Sequence, residues 1–453
     1  MLKFSHLLCH RFASQRAAAA ISLALVLGGL PQCIAQTALP LVDSASANTA
    51  PQISLDTAIS LAVTANAAAR TALLALDQAQ AKLNQAQSQS KIAISFNSTL
   101  ALSNGKVTQP PPPIETFTSL SNTLTAQLPD RSRASLAVGQ AMDQVKAAGM
   151  QYLSARRSLS GQVIASYYSV LRNQALADAA RVSLRAANRA LAETQRRLAL
   201  GDVPGLDVLR AQVPVAQAQA AELQANNAVV GAEQGLNALL GLPLTSPVSL
   251  RPIVSNLQPS TLTQDEIVAL AIEHSPDVMA ASAVVDADEK SLRLSRLYRD
   301  PSYSVQLSDA RSGDVTGFSR LDNIQANITI PLSDGGLGAG QVKEAQSVLA
   351  QAKVQLDGAK RLAGSTAAAA DLTERNAASQ TVAAKVALTI AQTAYEKTIA
   401  GYHEHLFPLS DTLVAQSAYL QTLIAYTQSL YDQAAAISTV DNLINDIDTK
   451  DLP

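Results

Sequence analysis

The sequence predicts a mainly α-helical chain with a membrane-spanning β portion. It reads as two copies of a long-helix hairpin, each carrying a pair of β-strands. Three observations predict this. The chain is written twice, its longest segments repeat every seven residues, and the stretches before them alternate with a period of two.

The N-terminus reads as a secretory signal over residues 1–35. Lys3, Arg11 and Arg16 lead an apolar run from Ala17 to Leu30, and Cys33-Ile34-Ala35 places small residues before a cleavage point after Ala35. Those 35 residues carry three basic and no acidic side chains. The net charge of −2 therefore becomes −2 − 3 = −5 in the mature chain. That balance gives no reason to expect a nucleic-acid partner. Both cysteines, Cys9 and Cys33, fall within the signal. A mature chain without cysteine has no disulfide, thiol nucleophile or zinc-thiolate site. A rival reading makes Cys33 a lipidation site, although Pro31 and Gln32 stand where small residues are wanted. Residues 36–51 form an N-terminal tail.

The composition is that of side-by-side helices rather than a thick core. Hydrophobic residues make up 47% of the 453, but aromatics only 4%, and there is no Trp. Alanine is a strong helix former that buries little surface.

The duplication shows as four anchors in one order. Asp56 to Ala67 matches Asp265 to Pro276. Gln127-Leu128-Pro129 matches Thr329-Ile330-Pro331, and Gly139-Gln140 matches Gly340-Gln341. Pro204, Asp207, Ala211 and Gln212 match Pro408, Asp411, Ala415 and Gln416. The first repeat covers 52–240, a Pro-rich linker 241–262, the second repeat 263–448 and a C-terminal tail 449–453. Each repeat orders a short helix, a medium helix, two strands, a very long helix, a turn and a returning helix.

The strands are expected at about 92–103, 116–128, 301–309 and 320–331. Ile92, Ile94, Phe96, Leu100 and Leu102 alternate with mainly polar residues, and Tyr303, Val305 and Leu307 do the same. Runs of about 9–11 such residues fit transmembrane strands with one face to lipid and one to water. An amphipathic hairpin resting on another domain would show the same pattern. Four strands cannot close a barrel, and open edges are not tolerated in lipid, so a spanning sheet requires more than one copy.

The long helices are expected over about 139–200 and 340–400. Val163, Val170, Ala177, Leu184, Leu191 and Leu198 fall seven apart, as do Val342, Leu349, Leu356, Ala363, Ala370, Ala377, Ala384 and Ala391. Sustained heptads mean coiled-coil-like packing, and about 62 residues make a helix roughly 90–95 Å long. The medium helix near 66–91 and the returning helix near 205–240 together have the same length, as if stacked end to end beside it.

These features resemble the TolC-type outer-membrane efflux protein family, over nearly the whole mature chain. Pro331-Leu332-Ser333-Asp334-Gly335-Gly336, at a strand-to-helix transition, is similar to the family's Pro-Leu-Phe-Asp-Gly-Gly, with Ser333 in place of the aromatic. The first-half counterpart beginning at Pro129 is degraded. Arg197 to Gln212 resembles the family's turn between long helices, and Leu236 to Pro243 the end of its first repeat. The resemblance implies a homotrimer closing a twelve-stranded barrel in outer-membrane lipid. A helical barrel would continue it into the periplasm. Its implied role is a passive duct for efflux or secretion, working with a periplasmic adaptor protein and an inner-membrane pump. A structural coiled-coil tether or adhesin in the envelope is the alternative.

No catalytic constellation appears, so neither enzyme activity nor a cofactor is expected. His403-Glu404-His405 reads as a polar turn rather than a metal site, because alternate helix positions diverge. Asp334 to Gly340 lacks the Lys-Ser/Thr of a phosphate loop and reads as a bend. The resemblance makes the two helix turns the periplasmic gate and adaptor contact: Gly201, Pro204 and Asp207 in the first, Tyr402, His405, Phe407, Pro408 and Asp411 in the second. His405 stands where the family usually has Gly, and Phe407 where some members carry a gate Arg, so closure would rest on Phe407 packing and Tyr402 hydrogen bonds. Asp207 and Asp411 also read as acids favourable to the start of a helix, and both roles can hold together.

Overall fold

The computed structural model describes residues 52–106, 114–252, 257–314, 317–404 and 406–445. The segment 1–35 expected to be a signal peptide, with Cys33, the segments 36–51 and 449–453 expected to be tails, and His405 lie outside the described residues.

The duplication is plain in the order of elements. The first repeat runs α1 (Leu55–Ala65), α2 (Ala67–Gln89), β1 (Ala93–Lys106), β2 (Ile114–Leu128), α3 (Arg131–Ala199) and α4 (Gly205–Leu240). The second runs α5 (Gln264–Glu273), α6 (Pro276–Arg296), β3 (Ser302–Asp314), β4 (Gly317–Thr329), α7 (Leu337–His403) and α8 (Leu409–Ile444). Among the described residues no single helix is long and apolar enough to cross a membrane.

Both long helices begin sooner than their heptads suggest. The expected start near Gly139 becomes Arg131, because the Asp130 side chain accepts from the Ser132 N–H and caps the helix directly after β2. With 69 and 67 residues, α3 and α7 are each about 100 Å long. Helices α2 and α4 lie along one flank of α3, α6 and α8 along the other, and α6 and α8 also pack on α7. The 23 residues of α2 and 36 of α4 thus stack beside α3 as expected.

The strands form one antiparallel sheet in the order β1-β2-β3-β4. Its register is regular, so each strand's odd and even positions line opposite faces. Phe96, Leu124, Leu307 and Ile324 form one row on the apolar face, and Ile94, Ala126, Val305 and Ala326 the next. The other face carries Ser95, Thr125, Gln306 and Gln325 in one row and Asn97, Thr123, Ser308 and Asn323 in another. The strands run on beyond their alternating stretches, because the Asn104-Gly105-Lys106 end of β1 keeps its ladder pairing with β2.

The main core forms where the chain start and the linker cross α3. Val163, Tyr167 and Val170 are fully buried there with Ala58, Ala62, Leu236 and Leu240. Ile53 and Leu250 make a parallel bridge, and the Tyr167 hydroxyl donates to the carbonyls of Ile53 and Arg251 at 3.1 and 2.7 Å. Gly241 ends α4 with φ 69°, and a Cβ there would sit 2.6 Å from the Ala65 Cβ, so glycine is required. The linker's far end is fastened to α7. The Ser260 N–H donates to the buried Glu374 Oε1 at 2.6 Å, and Arg375 Nη2 donates to the Leu262 carbonyl at 3.2 Å.

Candidate functional site

The two helix turns are built on the same plan. The first follows Leu200. Gly201 takes φ 81°, which lets the Asp202 N–H reach back to the Arg197 carbonyl at 2.9 Å. Pro204 then precedes α4, and Asp207 stands in its first turn. In the second, Glu404 ends α7, and the Leu406 N–H donates to the Gly401 carbonyl at 2.8 Å. Pro408 precedes α8, with Asp411 in its first turn. A carboxylate there meets unsatisfied N–H groups and the positive end of the helix. Asp207 also pairs with Arg210 at 3.4 Å, while Asp411 Oδ1 accepts from the Ser410 hydroxyl at 3.2 Å.

Phe407 packs over Gly401. A Cβ on Gly401 would lie 2.3 Å from the Phe407 ring, so a larger residue would push the ring away. Tyr402 is buried with Ala211 and Leu409, and Leu191 and Leu413 pack around them. The ends of all four long and returning helices therefore meet in one small cluster.

The cluster contains a residue that the sequence reading did not single out. Arg197, in the last turn of α3, is 8% exposed. Its guanidinium lies 4.1 Å from the centre of the Tyr402 ring, and Nη1 donates to the Tyr402 carbonyl at 3.2 Å. Glu193, one turn earlier, accepts from Arg197 Nε at 3.3 Å. A cation over an aromatic face, with its carboxylate partner also present, is attractive by about 0.5–2 kcal/mol. This contact bridges the two repeats. The signal for it was a charge on an otherwise buried stripe: Arg197 follows the buried Ala187 and Thr194 at helical spacing. Above it a cavity of about 350 Å³ opens between α3, α7 and α8, lined by Arg189, Glu193, Arg196, Tyr395, Tyr402, Thr412 and Gln416.

The strand-to-helix joint lies apart from the turns. Gly335 and Gly336 take φ 65° and 94°. Asp334 Oδ1 accepts from the Gly336 N–H at 3.0 Å and Oδ2 from the Gly338 N–H at 2.7 Å. These backbone donors, Gly338 first, hold the Asp334 carboxyl below the usual carboxylate range. Pro331 stands two residues beyond the strand end at Thr329, where a missing N–H costs nothing in the ladder. Pro129 plays the same part after β2, but a single N–H, from Ser132, reaches the Asp130 side chain. Among the described residues, no group of three or more His, Cys, Asp or Glu is placed to hold a metal ion.

Comparison with known proteins supplies the context. The sequence model of a family described as outer membrane efflux protein matches residues 58–242. Protein CyaE of Bordetella pertussis is 26% identical over 256 residues, covering 55% of this chain and 54% of that protein. The chain thus spans about half the length of that relative. The cobalt-zinc-cadmium resistance protein CzcC of Cupriavidus metallidurans is 26% identical over 291 residues, covering 64% of this chain and 68% of that one. Among solved structures, the outer membrane protein VceC of Vibrio cholerae superposes with a TM-score of 0.72 at 19% identity, covering 86% of this chain and 96% of its own. The CmeC outer membrane channel of Campylobacter jejuni gives 0.73 at 16% identity, covering 88% and 90%. These two likenesses establish the fold.

Proposed function

We propose that this chain, which belongs to the outer membrane efflux protein family, is the outer-membrane duct of an export system and passes cargo outward without chemistry of its own. Family and fold are those of channel proteins. The observation that carries the reading is the four-stranded sheet, apolar on one face, with β1 and β4 each left open on one side. In lipid those edges must pair, and β4 of one copy with β1 of the next closes a ring without edges. Three copies give twelve strands, with long helices continuing the wall into the periplasm.

The polar face supports a water-filled lumen. In the described strand rows it offers Ser, Thr, Asn and Gln hydroxyls and amides, and over the positions 95–101, 119–127, 304–312 and 319–327 that face carries no charged residue. Such a lining attracts neither sign of charge, so cargo is selected by the inner-membrane pump and the periplasmic adaptor that we propose as partners. The helix turns would close the duct, with Gly201, Pro204, Asp207, Tyr402, His405, Phe407, Pro408 and Asp411 as gate and adaptor contact. The Arg197–Tyr402 contact adds the tie between the two repeats.

The test is reconstitution. Purified protein should run as a heat-modifiable trimer, and it should raise the conductance of a planar bilayer in discrete steps. Cysteine placed at Gly313 should be labelled from outside intact cells. A folded monomer that leaves bilayers silent and Gly313 unlabelled would overturn the proposal.

A further inference from the structure

The apolar face of the sheet changes character near the hairpin end. Counted from the helix-proximal ends, Ser302 and Thr329, the tenth residues are Arg311 on β3 and Arg320 on β4. The register sets these two directly opposite each other, on the face that carries Leu307 and Ile324. A tilted strand crosses the hydrocarbon in about 9–11 residues. With the helices on the periplasmic side, both guanidiniums stand where hydrocarbon gives way to the outer headgroups. Leu100 and Leu120 complete the same row.

Like charges opposed across a strand pair are unfavourable. Two carboxylates one row nearer the helices offset part of this. Asp309 pairs with Arg311 Nη2 at 3.3 Å and Arg320 Nε at 3.2 Å, and Asp322 pairs with Arg320 Nε at 3.1 Å. Both acids are engaged from the membrane side of the cluster. Among the described residues, nothing else takes the outward donors of Arg320. The arginine side chains remain 49% and 60% exposed. Between them and the two leucines lies an open cavity of about 500 Å³, with Thr118 and Ser319 at its rim.

We propose that this cavity seats the phosphate of a phosphorylated glycolipid of the outer leaflet. The inference rests on the reading of the sheet as membrane-spanning. Guanidinium forks match phosphate oxygens and hold them by charge-assisted bonds. A phosphate between Arg311 and Arg320 cancels their repulsion, while the acids beneath fix the guanidinium planes through Nε and one Nη. The lipid, rather than free phosphate, is the fitting ligand because Leu100 and Leu120 form an apolar part of the cavity wall. Its acyl chains would pass the Ser98, Asn122, Asp309 and Asp322 row, whose acids are paired with the arginines, to reach the row of Phe96, Leu124, Leu307 and Ile324. The ring then carries one such seat per protomer.

The test uses the trimer in mild detergent, with native mass spectrometry after addition of a phosphorylated glycolipid, its dephosphorylated form, or inorganic phosphate. The wild-type trimer should retain the phosphorylated glycolipid, up to one per protomer, and neither competitor should displace it. Arg311→Gln with Arg320→Gln should weaken retention about tenfold or more, while Arg361→Gln on α7 should leave it unchanged. Arg311→Lys with Arg320→Lys keeps the charge without the fork and should fall between, which also guards against a misfolded glutamine variant. Equal retention by wild-type and both double variants would overturn the proposal, as would displacement by inorganic phosphate. Absence of the wild-type chain from the outer membrane would instead overturn the reading of the sheet.

Discussion

Helices α3 and α7 are one segment written twice, yet they live in different surroundings. Helix α3 is covered on both flanks and buries residues along most of its length, among them Leu153, Val163, Tyr167 and Val170. Helix α7 is covered on one flank. Its heptad positions, such as Ala363, Ala370 and Ala377, are shielded, while Val354, Leu362, Val382 and Ile390 are 65–68% exposed. On the opposite side of the protomer α4 leaves Leu209 and Leu223 similarly bare, 59% and 65% exposed. The same heptad logic therefore gives a buried helix when its neighbours are in the chain, and a sticky one when they are not. The bare flank of α7 follows the open edge of β4, and the bare flank of α2 and α4 leads from the open edge of β1.

The largest expected effect comes from attacking that difference directly. Val382→Glu with Val386→Glu on α7 should abolish trimers and membrane insertion while leaving helical circular dichroism intact, because it charges an apolar surface that needs a partner. Val182→Glu on α3 should cost little by the same gel and fractionation assays. Trimers surviving the α7 pair would show that α7 is not an interface.

The second prediction concerns the cation–ring contact between the repeats at the turns. Arg197→Ala removes the cation from the Tyr402 ring and should loosen the closed turn by about 1–2 kcal/mol. That shifts an open–closed balance by roughly five- to thirty-fold, read as raised resting conductance in planar bilayers. Unchanged conductance would make the contact structural.

Asp334 and Asp130 offer a subtler contrast, two N–H donors against one. The folded value of Asp334 lies below its unfolded one. Its stabilisation is therefore present above the unfolded pKa, about 4 for an aspartate, and is lost as pH falls through the lower folded value. Asp334→Asn should raise amide exchange at Gly336 and Gly338 at neutral pH and remove its dependence on acid. The equivalent change at Asp130 should be felt at Ser132 alone. Equal acid dependence in wild-type and variant would place the sensitivity elsewhere.

The smallest effect is expected at the turn carboxylates. Asp411→Ala should reduce cation preference and block by multivalent cations modestly, since repeated acids around a narrow ring attract cations, while trimers persist. Asp207, already paired with Arg210, should matter less.

Much of this was legible in the sequence, because periodicity is a local property. The heptads, the alternating runs and the matched turn prolines follow from side-chain direction along one element. The helix start at Arg131 was not, since Arg131-Ser132-Arg133 shows no apolar period and one capping bond decides the matter. The hairpin ends of the strands were missed for a similar reason: Asn104-Gly105-Lys106 needs backbone pairing, not alternation, to be strand. Arg197 was missed because its partner lies 205 residues away, in the other repeat.

The placement of both open edges bears on how such a ring is made. Joining a second copy covers one flank of each chain and leaves one flank of each exposed, so a pair is as adhesive as a single chain. Growth alone brings no relief; only closure does. Assembly should then behave like the fastening of a belt, with intermediates that never accumulate and a final step that removes every exposed edge of sheet and helix at once. Any chain that misses that step remains a target for chaperones and proteases.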